Sequence, residues 1–116
     1  MFHRGLDERT HDFGCRVRKW VRTLPLTPLI IDDIKQLIRS SGSVGANYIE
    51  ANESLGKKDC GKCMKICRKE AKESGHWLRM LDIRQSAEHE KERQALIQES
   101  HELTCIFHSI ITKYYS

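Results

Sequence analysis

Lys58, Lys62, Lys65, Lys69, Lys72 and Arg79 follow one another at intervals of four, three, four, three and seven residues. On a helix those intervals return to one face. Between residues 57 and 79, eight Lys/Arg stand against three Asp/Glu, a local excess of +5. A ridge of cations this long has the chemistry to follow a phosphate backbone, with affinity that falls as salt rises. The bland reading is a solvated helix face, and the pattern alone does not separate the two. No aromatic residue interleaves with the lysines along the chain, so base stacking is not indicated. Arg16, Lys19 and Arg22, further upstream, are additional phosphate ligands on the first reading.

Other residue types suggest other chemistry. Cys60, Cys63 and Cys67 share one segment, but Cys60 and Cys67 would lie about 10.5 Å apart along a helix axis, too far to share an ion. A zinc ion would take two of these thiolates and need ligands from other helices. Small apolar packing is the competing role for these cysteines. A di-iron site in a helical bundle needs two Glu-x-x-His units and two further inward glutamates. Glu73-x-x-His76 has the spacing, but His76 falls on the basic outer side. Glu99 sits on an apolar stripe between Leu96 and Leu103, where a carboxylate requires a hydrogen-bonding or charged partner. His3, His11, His89, His101 and His108 are scattered, and no nucleophile elbow, P-loop or dinucleotide fingerprint is present. The expectation is a protein that is not an enzyme and holds no metal or cofactor.

Four helices would carry these residues. The first runs from about Asp7, a candidate cap, to Leu24, with Leu6, Phe13, Val17, Trp20, Val21 and Leu24 at helical spacing and Pro25 as its stop. Thr27 and Pro28 read as the cap and first residue of the second, which continues towards Gly56. Its stripe is Ile34, Leu37, Ile38, Ser41, Val44, Tyr48 and Leu55. The third spans about Asp59 to Ile83, with Cys60, Cys63, Met64, Cys67, Ala71, Ser74, Leu78 and Leu81 inward. Ser86 would cap the fourth, whose stripe is Leu96, Leu103, Ile106, Phe107, Ile110 and Tyr114. No stretch alternates with period two long enough for a strand. Helices of this length on short turns make antiparallel neighbours, so the predicted fold is an all-α, up-down-up-down four-helix bundle.

The second helix contains Gly42 and Gly45, each costing about 1 kcal/mol relative to alanine in a helix interior. Either the helix breaks there or another helix approaches closely. Arg39, Ser43, Ala46 and Glu50 line a face away from its core stripe, with Asn47 beside them. Those five residues are the expected contact with another chain; a kink with solvated polar groups is the alternative.

The 116 residues suffice for one domain, 1–116, with a real core. Hydrophobic content of 39% and charged content of 31% argue against disorder. The net charge of +4 is only weak evidence for an acidic partner. No apolar leader is visible, the longest aliphatic cluster is Leu29-Ile30-Ile31, and five cysteines fit free thiols in a reducing compartment. A cytoplasmic protein without membrane contact is expected.

Gln36-Leu37-Ile38-Arg39-Ser40, Ser43-Val44-Gly45-Ala46-Asn47-Tyr48 and Glu50-Ala51 strongly resemble the four-helix-bundle proteins named after the 23S rRNA intervening sequence. The likeness extends to Arg9-Thr10, Phe13 and Leu24-Pro25, through Lys69-Glu70-Ala71-Lys72-Glu73 and Trp77-Leu78, to Glu99 and Glu102-Leu103. Cys60 and His76 depart from it, standing where the family usually has an aromatic residue and a tyrosine. The resemblance implies a homopentamer without catalytic activity. It also implies kinship to the accessory protein of diversity-generating retroelements, which binds nucleic acid and its reverse transcriptase. The resulting expectation is an oligomeric bundle that binds structured RNA or DNA through its basic face. The rival is an adaptor oligomer that docks a protein such as a reverse transcriptase and touches no nucleic acid.

Overall fold

The computed structural model describes residues 5–83 and 87–116. Four helices follow in order: α1 (Leu6–Val21), α2 (Ile31–Glu53), α3 (Lys57–Met80) and α4 (Ala87–Tyr114). Each packs on its two neighbours in the cycle, while α1 and α3, and α2 and α4, are diagonal. The four form an antiparallel bundle whose principal extents are 45 × 23 × 21 Å. Among the described residues there is no strand.

The stripes read from spacing form the core. Phe13, Val17, Leu37, Val44, Tyr48, Met64, Leu78, Leu96, Leu103 and Phe107 are almost wholly buried. Two stripe ends differ. Leu55 is fully exposed because α2 stops at Glu53 and the backbone turns extended at Ser54. Tyr114 is also exposed, and Ile111, one turn earlier, closes that end of the core instead.

Helix starts also differ from the capping pattern. Gly5, in a left-handed conformation (φ 74°), precedes α1, so Asp7 lies inside the first turn rather than at the cap. Thr27 and Pro28 begin a turn, not a helix: the Thr27 carbonyl accepts from both Ile30 N and Ile31 N. That turn buries Ile30 and delays α2 to Ile31. α3 begins at Lys57, two residues before Asp59, and ends at Met80. The cap expected at Ser86 lies outside the described residues.

α2 is unbroken through its glycines. A Cβ at Gly42 would stand 3.0 Å from the Arg18 guanidinium, and one at Gly45 3.5 Å from Thr10 Oγ1. Gly14 faces them from α1, where a Cβ would lie 3.4 Å from the Ser41 carbonyl. The close approach that these glycines allow is therefore α1 against α2 within the chain. On the other side of α2, Ser74 Oγ donates to Ser40 Oγ (3.0 Å), drawing α3 in through small polar side chains.

Candidate nucleic-acid interface

Lys58, Lys62, Lys65, Lys69, Lys72 and Arg79 are all exposed on the outer face of α3. The reason is geometric: Cys60, Met64, Cys67, Ala71, Ser74 and Leu78 take the inner face, and 3.6 residues per turn puts the cations opposite. Among the described residues, none of the six forms a side-chain hydrogen bond or an ion pair. Their charge is left to solvent.

Lys58, Lys62, Lys65 and Lys69 line an open groove of about 1030 Å³ at the start of α3, together with Ile66 and Tyr115. Tyr115 comes from the far end of the chain, which the antiparallel course of α4 returns to the beginning of α3. Its hydroxyl donates to Cys60 Sγ at 2.9 Å, and a Cβ at Gly61 would meet its ring at 2.9 Å. Burial and the bond to Cys60 push the Tyr115 phenol up to about 12, so it stays a neutral donor. The lysines thus do have an aromatic neighbour, in space rather than in sequence. The signal was present as a glycine among the lysines and a Tyr-Tyr pair at the end of the antiparallel helix. Gly61→Ala is expected to push the ring off α3, a loss that offsets the roughly 1 kcal/mol alanine gains in a helix interior, so the thermal midpoint should not rise.

The upstream cations do not extend this ridge, because α1 is diagonal to α3. Arg16 is paired with Glu92 of α4 at 3.3 Å, while Lys19 and Arg22 are exposed on α1. They make a separate patch.

Most of the charged residues that carry the family resemblance tie the helices together. Arg9 holds Glu99 with two bonds of 2.7 and 2.8 Å and reaches Glu102 at 3.0 Å, joining α1 to α4. This is the partner that Glu99, mostly buried on the inner side, requires. Arg39 joins α2 to α3 in the same way, at 2.7 Å to Glu70 and 3.1 Å to Glu73. Burial raises the Glu70 carboxyl, but hydrogen bonds and the Arg39 charge prevail and hold it below its ordinary value.

Of the five residues expected at a subunit contact, Arg39 is committed to this tie. Asn47 donates to the Ser43 carbonyl and hydroxyl, both at 2.9 Å. Ala46 and Glu50 remain exposed on α2.

The thiols of α3 go inward. Cys67 is fully buried, its Sγ donates to the Val44 carbonyl at 3.5 Å, and burial raises it to about 12. Glu73 is spent on Arg39, and His76 lies outside with its ring against Trp77. Among the described residues, no three His, Cys, Asp or Glu side chains converge on a possible metal position.

The arrangement defines a class: an antiparallel four-helix bundle with ion-paired seams and a row of exposed cations on the outer face of α3. The chain belongs to the 23S rRNA-intervening sequence protein family, whose model matches residues 8–109. Its fold is similar to that of a protein of unknown function from the S23 ribosomal protein family of Bacteroides thetaiotaomicron, solved as a crystal structure. That similarity has a TM-score of 0.76 at 24% identity and covers 97% of this chain and 99% of the other. A search of curated proteins finds no match. Among the described residues, no helix is long and apolar enough to cross a membrane.

Proposed function

We propose that the chain is a non-enzymatic, cytoplasmic bundle that binds structured RNA or DNA along the outer face of α3. The observation that carries this reading is the set of six exposed basic side chains that form no ion pair among the described residues, four of them lining one groove together with Asp59. From Lys58 to Arg79 the ridge is about 32 Å long, enough for several phosphates in succession. Arg9, Arg16, Arg39 and Arg93, by contrast, have carboxylate partners. The alignment of six cations without an ion pair among the described residues along one helix face is what favours an external polyanion over a merely solvated surface.

Assembly multiplies the effect. In a homopentamer, the state the family resemblance implies, five such ridges would act together on one nucleic acid. The exposed Ala46 and Glu50 on α2 are the positions that support a subunit contact.

Reversing three charges tests the reading. The variant Lys62→Glu/Lys65→Glu/Lys69→Glu is expected to bind nucleic acid at least tenfold more weakly, with its thermal midpoint unchanged because all three side chains are exposed. Unchanged affinity would show that nucleic acid does not bind along α3. Loss of only a protein partner would leave the adaptor reading.

A further inference from the structure

Two exposed thiols stand beside imidazoles one helical turn away, and neither pair belongs to the ridge. On α1, Cys15 Sγ lies 3.4 Å from His11 Nε2; on α4, Cys105 Sγ lies 3.7 Å from His101 Nε2. All four side chains are exposed. In the metal-free chain each contact is a thiol–imidazole hydrogen bond.

The spacing is also that of a chelate. Zinc binds cysteine sulfur at about 2.3 Å and histidine nitrogen at about 2.0–2.1 Å, so a tetrahedral ion holds the two about 3.6 Å apart. Both pairs come within a few tenths of an ångström of that span without moving the backbone.

Their surroundings differ. His11 shares a surface depression with Asp7, Glu8 and Asp12, which favours a cation, against one cation, Arg18, in the groove that holds His11 and Cys15 together. His101 lines a cavity with Lys72 and Arg79, which opposes one.

We propose that His11 and Cys15 form a two-ligand site for a thiophilic divalent cation of the Zn²⁺ type. The His11 ring keeps its proton on Nδ1 and gives the Nε2 lone pair to the metal. The Cys15 thiol releases its proton to solvent and binds as thiolate. Water fills the remaining positions. The His101–Cys105 pair has a similar span, but the adjacent cations make it the weaker site.

Cobalt(II) reports on such a site, because thiolate ligation gives a charge-transfer band in the near ultraviolet. The full, reduced, tag-free chain is titrated with Co²⁺ and then with Zn²⁺. The expected result is a band saturating near one equivalent and erased by Zn²⁺. Cys15→Ser abolishes it, His11→Gln weakens it at least tenfold, and Cys105→Ser leaves it intact. Absence of a band in the parent chain would overturn the proposal. So would a band that survives Cys15→Ser, including one lost only with Cys60→Ser, which would assign the metal to α3. Because these residues lie on exposed positions of α1, nucleic-acid binding is expected to be unaffected by either variant.

Discussion

Replacing Arg93 with alanine is expected to lower stability by about 3 kcal/mol or more, because two buried carbonyls lose their donor at about 1–3 kcal/mol each and the packing of the buried stem is lost. Arg93 is 7% exposed and sits where three helices end. Its guanidinium donates to the carbonyls of Leu78 (3.1 Å) and Leu81 (2.8 Å), which the C-terminus of α3 leaves without intrahelical partners. It also stacks over the Trp20 ring at 5.8 Å and pairs with Glu90 at 3.2 Å. Trp20 Nε1 in turn donates to the His89 carbonyl at 3.1 Å, so α1, α3 and α4 meet around one side chain. For a chain of this size about 4 °C is lost per kcal/mol, and a thermal melt of Arg93→Ala should fall by more than about 10 °C. Arg93→Met keeps the aliphatic stem and should recover part of the loss. A midpoint within a degree or two of the parent would show that the α3 carbonyls do not depend on this residue.

Arg39→Ala is expected to cost about 1–3 kcal/mol at neutral pH, less than a fully buried pair because the guanidinium is half exposed. The loss falls on Glu70, whose side chain is only 6% exposed and would be left charged without its cation. The sign of the pH dependence follows. In the parent, Arg39 holds the folded-state Glu70 carboxyl low, so the pair's contribution is complete above the unfolded value of about 4.3 and fades as pH falls through the folded one. In the variant, burial is opposed only by the hydrogen bonds from Glu73 and Ser43, so the carboxyl moves up and the penalty for its charge shrinks on acidification. The stability gap should therefore be widest near pH 7 and narrow below about pH 5. Adding Glu70→Gln to Arg39→Ala should recover much of the loss at pH 7. Chemical denaturation of the parent, Arg39→Ala and the double variant at both pH values measures this. A gap independent of pH would place the effect in packing rather than in the ion pair.

Much of this molecule was legible from spacing. The 3–4 recurrence of Phe13, Val17 and Trp20, of Met64, Cys67, Ala71 and Ser74, and of Leu96, Leu103 and Phe107 names the buried faces directly. The six cations of α3 were legible for the same reason, as the complement of that stripe. What escaped was polar and long-range. Arg93 lies on the inner stripe, three residues before Leu96, yet a charge count files it with the surface. Its partners are main-chain carbonyls, which no side-chain pattern announces. Glu70 lies between Cys67 and Ser74 on the α2-facing edge, and only Arg39, 31 residues earlier, makes its burial tolerable. Tyr115 is 55 residues from Cys60 and reaches it only because α4 runs back along α3. Gly42 and Gly45 signalled close approach correctly as a physical need, but the approaching helix is α1 of the same chain.

These distinctions bear on function. Arg9, Arg39, Glu70, Glu73, Glu99 and Glu102 are committed to holding the bundle closed. The lysines of α3 have no such task, so they are the charges a partner can use without disturbing the fold.

The most direct test is a fluorescence anisotropy titration of labelled structured RNA and duplex DNA with the full chain, at about 50 and 200 mM salt. If about six phosphates are neutralised along α3, affinity should fall roughly a thousandfold between the two conditions. Binding that is absent even at the lower salt, or equal at both, would contradict the account.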